Sequence, residues 1–475
     1  MLSIRVVAPL TMLLLSGCVV GPDHKAPEIA LPGKFAEAGK TSNGDVSQVA
    51  WWTAFNDSRL NGYVNQGIGQ NLDILQALER ITSAEANVTV AGAGALPSLD
   101  LSAASTTTGT RTNPGSFSRT TVTAGTADAS WFLDLFGLYR RSKESALASL
   151  DAAYASEDVA RLSFLSQIAA AYIDVRYYQE RIAIARRNLD SRRETLSLTK
   201  LQLDAGAASR LDVVQSEGLV NSTIAEIPGL ETSFRGAAHR VATLLAMPAS
   251  SLVPELQKGA RQPVARFSTK AGVPADLIRN RPDIRAAERQ LASAVAEIGV
   301  AEAQLYPAIT LGGSISPRYN ALTPGLDSRA LTWSFGPQLS LPIFDGGRLR
   351  GNVKIAESSA RGQYLAWKQT VLNAVEEVEN ALAAVARDSR TVSALQATVK
   401  SYEEALQLGT ASYRDGASSL LDVLDAQREV STAQSNLAAA VRQMAQDYVS
   451  LNVAIGGGYA FGKTDTKVAS VVVKK

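Results

Sequence analysis

A constant offset of 210 residues relates the two halves of this chain. It separates Gly206 from Gly416 and Asp212 from Asp422, and the residues around these positions are similar. The same offset joins further identical pairs: Pro97 and Pro307, Leu101 and Leu311, Gly137 and Gly347, Arg140 and Arg350. A repeat of this length sets the architecture, because each half must fold into one long unit of the same kind. We interpret the chain as a tandem duplication.

Each half contains a segment with the alternating pattern of a β-hairpin, at 98–135 and at 308–343. The two hairpins give four strands of about 12 to 15 residues, longer than the 9 to 11 that a tilted membrane strand needs. Four strands cannot close a barrel, and open strand edges in lipid leave backbone groups unpaired. We therefore predict that other copies of the chain complete the sheet.

A long stretch with helical pattern and no proline follows each hairpin, at 139–203 and at 349–408. Each would extend about 90 to 100 Å as one helix. Both carry an apolar stripe with a period of seven, which predicts coiled-coil packing against a neighbouring helix. In the second half the stripe is Tyr364, Val371, Val378, Val385, Val392, Val399 and Leu406, and in the first it runs from Tyr154 to Leu203.

Shorter helices complete each repeat. We expect one at 60–95 before the first hairpin and one beginning near residue 277 before the second. Return helices are expected at 211–247, broken at Pro228, and at 421–455. The predicted division is a signal peptide at 1–17, a lipidated extended segment at 18–50, a first repeat at 51–247, an irregular connection at 248–276, a second repeat at 277–458 and a flexible tail at 459–475.

The N-terminal residues read as a targeting segment. Arg5 precedes a short apolar run that is too short to span a bilayer, and Leu15-Ser16-Gly17 leads to Cys18. Small residues before a lone cysteine resemble the bacterial lipobox, in which that cysteine is lipidated. The alternative is an ordinary secretory signal with an incidental cysteine. Val19 instead of an aspartate favours the outer membrane, by resemblance to lipoprotein sorting in enteric bacteria.

Composition excludes several classes of function. The net charge of +2 gives no electrostatic footprint for nucleic acid. A single cysteine cannot form an internal disulfide or a thiolate metal cluster. The two histidines, His24 and His239, lie far apart in sequence, which argues against a zinc site or histidine-based catalysis. We therefore predict a protein that is not an enzyme and that has no cofactor and no metal site.

A glycine turn followed by a capped helix occurs once in each half. Ser209 with Asp212, and Ser419 with Asp422, have the spacing of a capping box. Capping alone would explain both of these aspartates. It does not explain Asp425, which lies one helical turn beyond Asp422.

Several segments together resemble the TolC family of outer membrane efflux proteins, in the lipoprotein branch that serves resistance-nodulation-division pumps. The resemblance covers nearly the whole mature chain. The segments are the lipobox, Trp51-Trp52, Asn71-Leu72-Asp73, Arg279-Asn280-Arg281-Pro282-Asp283-Ile284, Pro342-Ile343-Phe344-Asp345-Gly346-Gly347-Arg348 and the stretch 413–427.

The resemblance implies a mainly α fold with a membrane β-barrel portion. Three copies would form a twelve-stranded barrel in the outer membrane and a twelve-helix tunnel in the periplasm. The implied partners are outer membrane lipid, a periplasmic adaptor and an inner membrane pump, with no nucleic acid.

The family places a gate at the periplasmic end of the tunnel. Threefold symmetry would gather Asp422 and Asp425 into two rings of carboxylates if that side of the helix faces the axis. We hypothesise that these rings narrow the entrance and bind or filter cations, with Asp212 and Tyr413 as further gate residues. The first repeat departs from the second at three positions: Gln215 replaces Asp425, Leu203 replaces Tyr413 and Phe136 replaces Gly346.

Three functions remain open at this point. The leading one is a passive duct for the efflux of small molecules such as drugs. The second is an outer membrane duct for type I protein secretion, which shares the fold. The third is a lipid-anchored coiled-coil scaffold without a pore, which would have no use for the alternating hairpins.

Overall fold

The computed structural model describes residues 19–29, 35, 50–112, 115–265, 280–321 and 327–461. The predicted signal peptide and Cys18 lie outside the described residues. A 3-10 helix at Trp51–Phe55 precedes the regular elements. They are, in order, α1 Ser58–Gln70, α2 Leu72–Ala93, β1 Ser98–Thr112, β2 Ser116–Leu133, α3 Leu138–Asp204, α4 Arg210–Leu244, α5 Val253–Leu256, α6 Pro282–Ala303, β3 Ala308–Ala321, β4 Asp327–Ser340, α7 Arg348–Arg414 and α8 Leu420–Ala454.

The chain divides into two compact units. The first comprises 1–29, 80–154 and 286–369, and it contains the four strands. The second comprises 30–79, 155–285 and 370–475. It contains both glycine turns, together with the helix ends on either side of each turn. The long helices α3 and α7 each begin in the first unit and end in the second.

The strands form one antiparallel sheet in the order β1-β2-β3-β4. The two predicted hairpins are present as β1–β2 and β3–β4, and the β2–β3 pairing joins the two repeats. The last strand residues, Leu133 and Ser340, come slightly before the predicted hairpin ends at 135 and 343. Each outer strand, β1 and β4, has one neighbour in the sheet, so its other edge is open among the described residues.

One face of the sheet is apolar. Leu101, Ala127, Ile315 and Trp333 are partners in successive strand pairs, so odd-numbered residues of all four strands share a face. The exposed large apolar side chains of the strands all lie at odd-numbered positions: Leu99, Leu101, Phe117, Trp131, Ile315, Tyr319, Leu331, Trp333, Phe335 and Leu339. The even-numbered face carries mainly Ser, Thr, Gly and Ala. The sheet is thus built to present one face to an apolar environment.

The helices α3 and α7 have 67 residues each, about 100 Å at 1.5 Å per residue. The predicted end of α7 at 408 is wrong, because the helix runs on to Arg414. Gly409 is a tolerated interior glycine, which costs about 1 kcal/mol, and the helix ends only before Gly416, whose φ is +74°. The middle of the predicted stripe is buried: Val371, Val378, Val385 and Val392. Tyr364 at its start is exposed.

The predicted break at Pro228 is also wrong, since α4 is continuous through it. Proline removes one backbone hydrogen bond and crowds the preceding turn, at a cost of about 3 kcal/mol. Buried side chains on both sides of it, including Val220 and Phe234, offset that cost by packing the helix in the second unit.

A single helix over 60–95 is not formed. Asn71 is extended (ψ 129°) and separates α1 from α2. Its Oδ1 accepts hydrogen bonds from the backbone N–H groups of Asp73 and Ile74, and its amide donates to the carbonyl of Leu244 at 2.9 Å. The side chain therefore caps α2 and stabilises the interruption.

The second unit has an aromatic core around the start of the ordered chain. Trp51 and Trp52 are 2% and 1% exposed, and the Trp51 ring lies 6.4 Å from Tyr448. Arg176 is fully buried and donates to the Tyr172 hydroxyl, which in turn donates to Asp57 at 2.6 Å. Burial raises the pKa of Tyr172, so the hydroxyl remains a donor to Asp57.

Two predicted irregular segments contain order. The connection at 248–276 includes the one-turn helix α5. The start of the predicted flexible tail is packed, since Arg161 donates to the carbonyls of Tyr459 and Phe461 at 2.9 and 2.7 Å. The Phe461 ring also contacts Trp52 at 5.0 Å. Residues 462–475 lie outside the described residues.

Candidate functional site

Both long helices end in the same glycine motif. Gly416 N–H donates to the Tyr413 carbonyl and Ala417 N–H to the Ser412 carbonyl, at 3.0 and 2.8 Å. Gly206 and Ala207 make the equivalent bonds after α3. This is a Schellman motif, which requires a left-handed residue, and Gly206 and Gly416 have φ of +76° and +74°.

The aspartates at 212 and 422 cap the helices that follow. Oδ2 of Asp422 accepts hydrogen bonds from the backbone N–H and the hydroxyl of Ser419, at 3.1 and 2.9 Å. Asp212 makes the same contacts with Ser209 at 2.8 and 2.7 Å. Both capping boxes are complete, so each aspartate has a structural use within its own chain.

Asp425 has a different partner. Its Oδ1 accepts from Arg428 Nη1 at 2.5 Å, and both side chains are more than half exposed. The corresponding residues of the first repeat are Gln215 and Gly218, so the pair belongs to the second repeat alone. An exposed pair of this kind adds about 0 to 1 kcal/mol to stability.

Tyr413 is buried, at 7% exposure, in a small cluster with Leu420, Val423 and Leu424. Its hydroxyl lies 3.4 Å from the Thr199 hydroxyl on α3. Tyr413 thus joins the end of α7 both to the start of α8 and to α3.

Another polar contact, between α3 and α8, was not predicted from the sequence. Gln427 is 4% exposed, and its Nε2 donates to the Thr195 hydroxyl at 2.8 Å. The signal was available, because Gln427 occupies an apolar position in the helical series of Leu420, Val423 and Val430. A polar residue at such a position indicates a buried hydrogen bond.

The contact of α3 with α4 includes ion pairs. Arg181 pairs with Glu226 at 2.8 Å and Lys200 with Glu217 at 3.0 Å. Arg192 donates to the Thr223 hydroxyl, and burial lowers the pKa of this guanidinium, opposed in part by the nearby Glu226. Near the glycine turns, α3 contacts α4 through the Lys200–Glu217 ion pair. It contacts α7 and α8 through neutral hydrogen bonds and through apolar packing of Leu198 against the Tyr413 cluster.

Neither a metal centre nor a membrane-spanning helix is found among the described residues. No group of three or more His, Cys, Asp or Glu side chains there could hold a metal ion. No helix in the same part of the chain is both long and apolar enough to cross a bilayer.

The family model for outer membrane efflux proteins matches residues 64–247 and 273–457, nearly the whole of both repeats. The chain belongs to the outer membrane efflux protein family. Members are trimeric outer membrane channels without enzymatic activity that work with adaptors and inner membrane pumps. Membership of this family confirms the predicted fold class and the prediction that the protein is not an enzyme. It also excludes the alternative function of a coiled-coil scaffold without a pore.

Individual relatives agree with this assignment. Nodulation protein T of Rhizobium leguminosarum bv. trifolii is 56% identical over 96% of this chain and 97% of its own length. The toluene efflux pump outer membrane protein TtgI of Pseudomonas putida is 31% identical, over 94% and 97%. The solved structure of the outer-membrane channel OprN matches this chain with a TM-score of 0.83 and 31% identity, over 93% of this chain and all of that one.

Proposed function

We propose that three copies of this chain form a passive outer membrane duct that exports small molecules delivered by a periplasmic adaptor and an inner membrane pump. The observation that carries the proposal is the sheet with one exposed apolar face and two open edges. Unpaired edges in lipid cost several kcal/mol per backbone group, so the edges must pair with other strands. An even number of antiparallel strands per chain lets β1 of one copy pair antiparallel with β4 of the next around a closed ring.

The duct itself supplies no energy. The family is not enzymatic, so the driving force for transport must come from a partner. Adaptor and pump are therefore part of the proposed function, with the helical ends of the second unit as the side that receives them.

We assign Cys18 as the site of lipidation. Support comes from the small residues before it and from Val19 after it. A single lipidated cysteine anchors weakly on its own, so it would supplement the barrel as a second attachment to the outer membrane.

We propose that the tip formed by the glycine turns is a gate. Threefold symmetry would bring Asp422 and Asp425 into two carboxylate rings, and charges about 6 Å apart in a partly wet site repel by roughly 1 to 3 kcal/mol per pair. Bound cations or arginines such as Arg428 would offset that repulsion. Asp212 and Tyr413 support the rings, Asp212 by capping α4 and Tyr413 by joining α7 to α3.

Opening would separate the α7–α8 pair from α3. Besides the apolar packing of Leu198 against the Tyr413 cluster, two neutral hydrogen bonds near the turns would be broken, Tyr413 to Thr199 and Gln427 to Thr195. Each contributes about 1 kcal/mol net, so a partner protein can break them at modest cost. The charged contacts between α3 and α4 would persist in the open state.

The cargo is tested in the host. A strain without the gene should accumulate more of some compounds in a panel of drugs, dyes, solvents and metal ions, and its culture medium should lack the natural cargo. Restoring the gene should reverse both effects. Unchanged accumulation together with an unchanged medium would contradict an efflux role, and a missing secreted protein instead would favour type I secretion.

A further inference from the structure

The segment that follows Cys18 belongs to the first unit and is held against the helices and the sheet end of that unit. Val20 N–H donates to the Phe136 carbonyl at 3.2 Å, and His24 Nε2 lies 2.6 Å from Glu288 Oε1 on α6. Residues 19–29 contain no helix or strand, so side chains from the helices must hold the segment in place.

Arg141 on α3 makes most of these contacts. Its side chain is 5% exposed. Nε donates to the Val20 carbonyl at 3.0 Å, and Nη2 donates to the Gly21 carbonyl and to Asp23 Oδ1, both at 2.9 Å. Nη1 is fixed by Glu144 at 2.7 Å. A buried guanidinium with every nitrogen committed is a rigid holder of three successive points on the segment.

Two glycines make this close approach possible. Gly21 has φ of +89°, and a side chain there would collide with the backbone of Gly299 on α6. A side chain at Gly299 would also fall 2.8 Å from Cγ of Arg141. The segment therefore fits between α3 and α6 only because both positions lack a Cβ.

The held segment begins at the end of the sheet where β2 finishes. Phe136, whose carbonyl binds Val20, stacks on Tyr306 at 4.7 Å, and Phe132 contacts Tyr139 at 5.2 Å. Aromatic rings of this kind collect at the membrane interface of barrels. Two peptide units limit the Cα of Cys18 to about 7 Å from that of Val20.

We propose that Arg141 is the positioning residue that couples the lipid on Cys18 to the base of the barrel. It fixes the start of the chain beside this aromatic cluster, so that the acyl chains enter the membrane at the foot of the sheet. The proposal rests on the lipidation of Cys18 proposed above. Its consequence is that anchor and sheet reach the membrane together, instead of being joined by a loose tether.

The first test uses the trypsin site at Lys25, which is exposed within the held segment. In the purified trimer, Arg141→Ala should speed cleavage after Lys25 by about tenfold or more, because the segment is released. Arg140→Ala is the matched control, since that neighbouring side chain is half exposed and contacts Asp134 instead. Gly21→Ala should act like Arg141→Ala, because its Cβ would collide with the backbone of Gly299, while the sequences of both helices stay unchanged. Equal cleavage rates in all four proteins, measured by mass spectrometry, would overturn the proposal.

The second test asks whether Arg141 acts through the anchor. Formation of SDS-resistant trimers in the outer membrane should slow in Arg141→Ala but not in Arg140→Ala. In a Cys18→Ser background, exported with a cleavable signal peptide, Arg141→Ala should have no further effect. An equal effect in both backgrounds would mean that Arg141 only stabilises the fold, and would overturn the coupling. Mass spectrometry of the N-terminal peptide tests lipidation separately, so an unmodified Cys18 would refute the anchor and leave the cleavage result standing.

Discussion

At the scale of single residues, Asp422 and Asp425 lie one turn apart on α8 but make different contacts. Asp422 is committed through Oδ2 to the cap of its own helix, whereas Asp425 contacts only an exposed arginine among the contacts described for it. Removing the side chain of Asp422 would therefore damage the helix as well as the proposed ring. Asparagine keeps the acceptor and removes the charge, so it separates the two roles.

The first prediction concerns these charges. Asp422→Asn and Asp425→Asn, alone and together, should raise single-channel conductance and weaken block by divalent cations, because fewer carboxylates face one another. Folding stability should change by less than about 1 kcal/mol. Gln215→Asn, at the equivalent position of the first repeat, is the control. Planar-bilayer recordings that match the wild type would remove the gating role.

Residue patterns predicted the caps but not the buried polar contacts. Ser209 and Ser419 lie three residues before an aspartate, and that spacing has one common outcome in a protein. The partner of Gln427 lies on a helix more than 200 residues away, and the hydroxyl of Thr195 looks like any surface threonine in the sequence. Only tertiary packing decides which of many threonines becomes the partner.

At the scale of elements, the hydrogen bond between α8 and α3 can be removed without a large cost. Gln427→Leu loses the bond to Thr195, but it also removes a buried carbonyl oxygen, Oε1, for which no hydrogen bond is found in the part of the chain that the structure describes. The change should leave stability within about 1 kcal/mol and raise the resting conductance. Gln434→Leu is the control, because Gln434 contacts Glu403 between α7 and α8 and should not affect opening. Equal conductance in both variants would contradict separation of the pair from α3.

A pair of carboxylates links α7 and α8 elsewhere. Burial, and then the neighbouring Asp447, raise the pKa of Asp388 from 3.8 to about 6. A proton shared between the two would supply a donor for Asp388 Oδ2, which has no hydrogen bond among the described residues. Gln443 donates to Asp447 Oδ1 at 2.9 Å.

The pH dependence follows from this raised pKa. Between about pH 4 and 6 the folded chain binds more protons than the unfolded one, so stability from this pair is present at low pH and is lost as pH rises through 6. Asp388→Asn should raise the melting temperature at pH 7.5 and flatten its fall between pH 4.5 and 7.5. Glu403→Gln is the control on the same helix. A melting curve for Asp388→Asn with unchanged pH dependence would contradict the shared proton.

The apolar face of the sheet gives a further prediction. Phe335→Arg should reduce the trimer in the outer membrane strongly, because a charge on the lipid-facing side of a barrel costs about 2 to 4 kcal/mol near the midplane. Ser334→Arg, one residue away on the other face, should be tolerated. Quantitative blots of heat-unmodified outer membrane protein measure both, and equal loss would reverse the assignment of the faces.

Elements were predictable where a pattern was long and local. Alternation over 308–343 and the period of seven in α7 each involve many residues, so single exceptions do not alter them. Pro228 misled because one residue was weighed against a whole helix, and packing of that helix compensates for a local cost of about 3 kcal/mol. At Asn71 the error was the opposite one, because a continuous helix was predicted where the chain has an interruption. An apolar periodic pattern does not reveal the capping contacts of Asn71 with α2.

At the scale of the whole molecule, duplication predicted the architecture because it predicted a deficit. Four strands are too few to close a barrel, and the two long helical pairs are too long for a globular domain. This incompleteness was visible in the sequence. Contacts between copies at the tip depend on how three chains pack together. The residue pattern of one chain determines the number of strands but not this packing.

The final prediction is the assembly itself. The protein purified in detergent should have about three times the mass of the single chain, and it should conduct ions across a planar bilayer. Native mass spectrometry and bilayer recording check the two parts. A monomer that stays in solution without detergent and forms no pore would contradict the proposed duct.

The open edges of β1 and β4 make a lone copy hazardous. Before it assembles with other copies, a newly exported chain exposes unpaired strand edges and an apolar sheet face in the periplasm. Both features promote aggregation. Unassembled monomers of this chain should therefore need chaperones that hold them until they assemble, in proportion to their number. Envelope proteins that close their own sheets do not have this need.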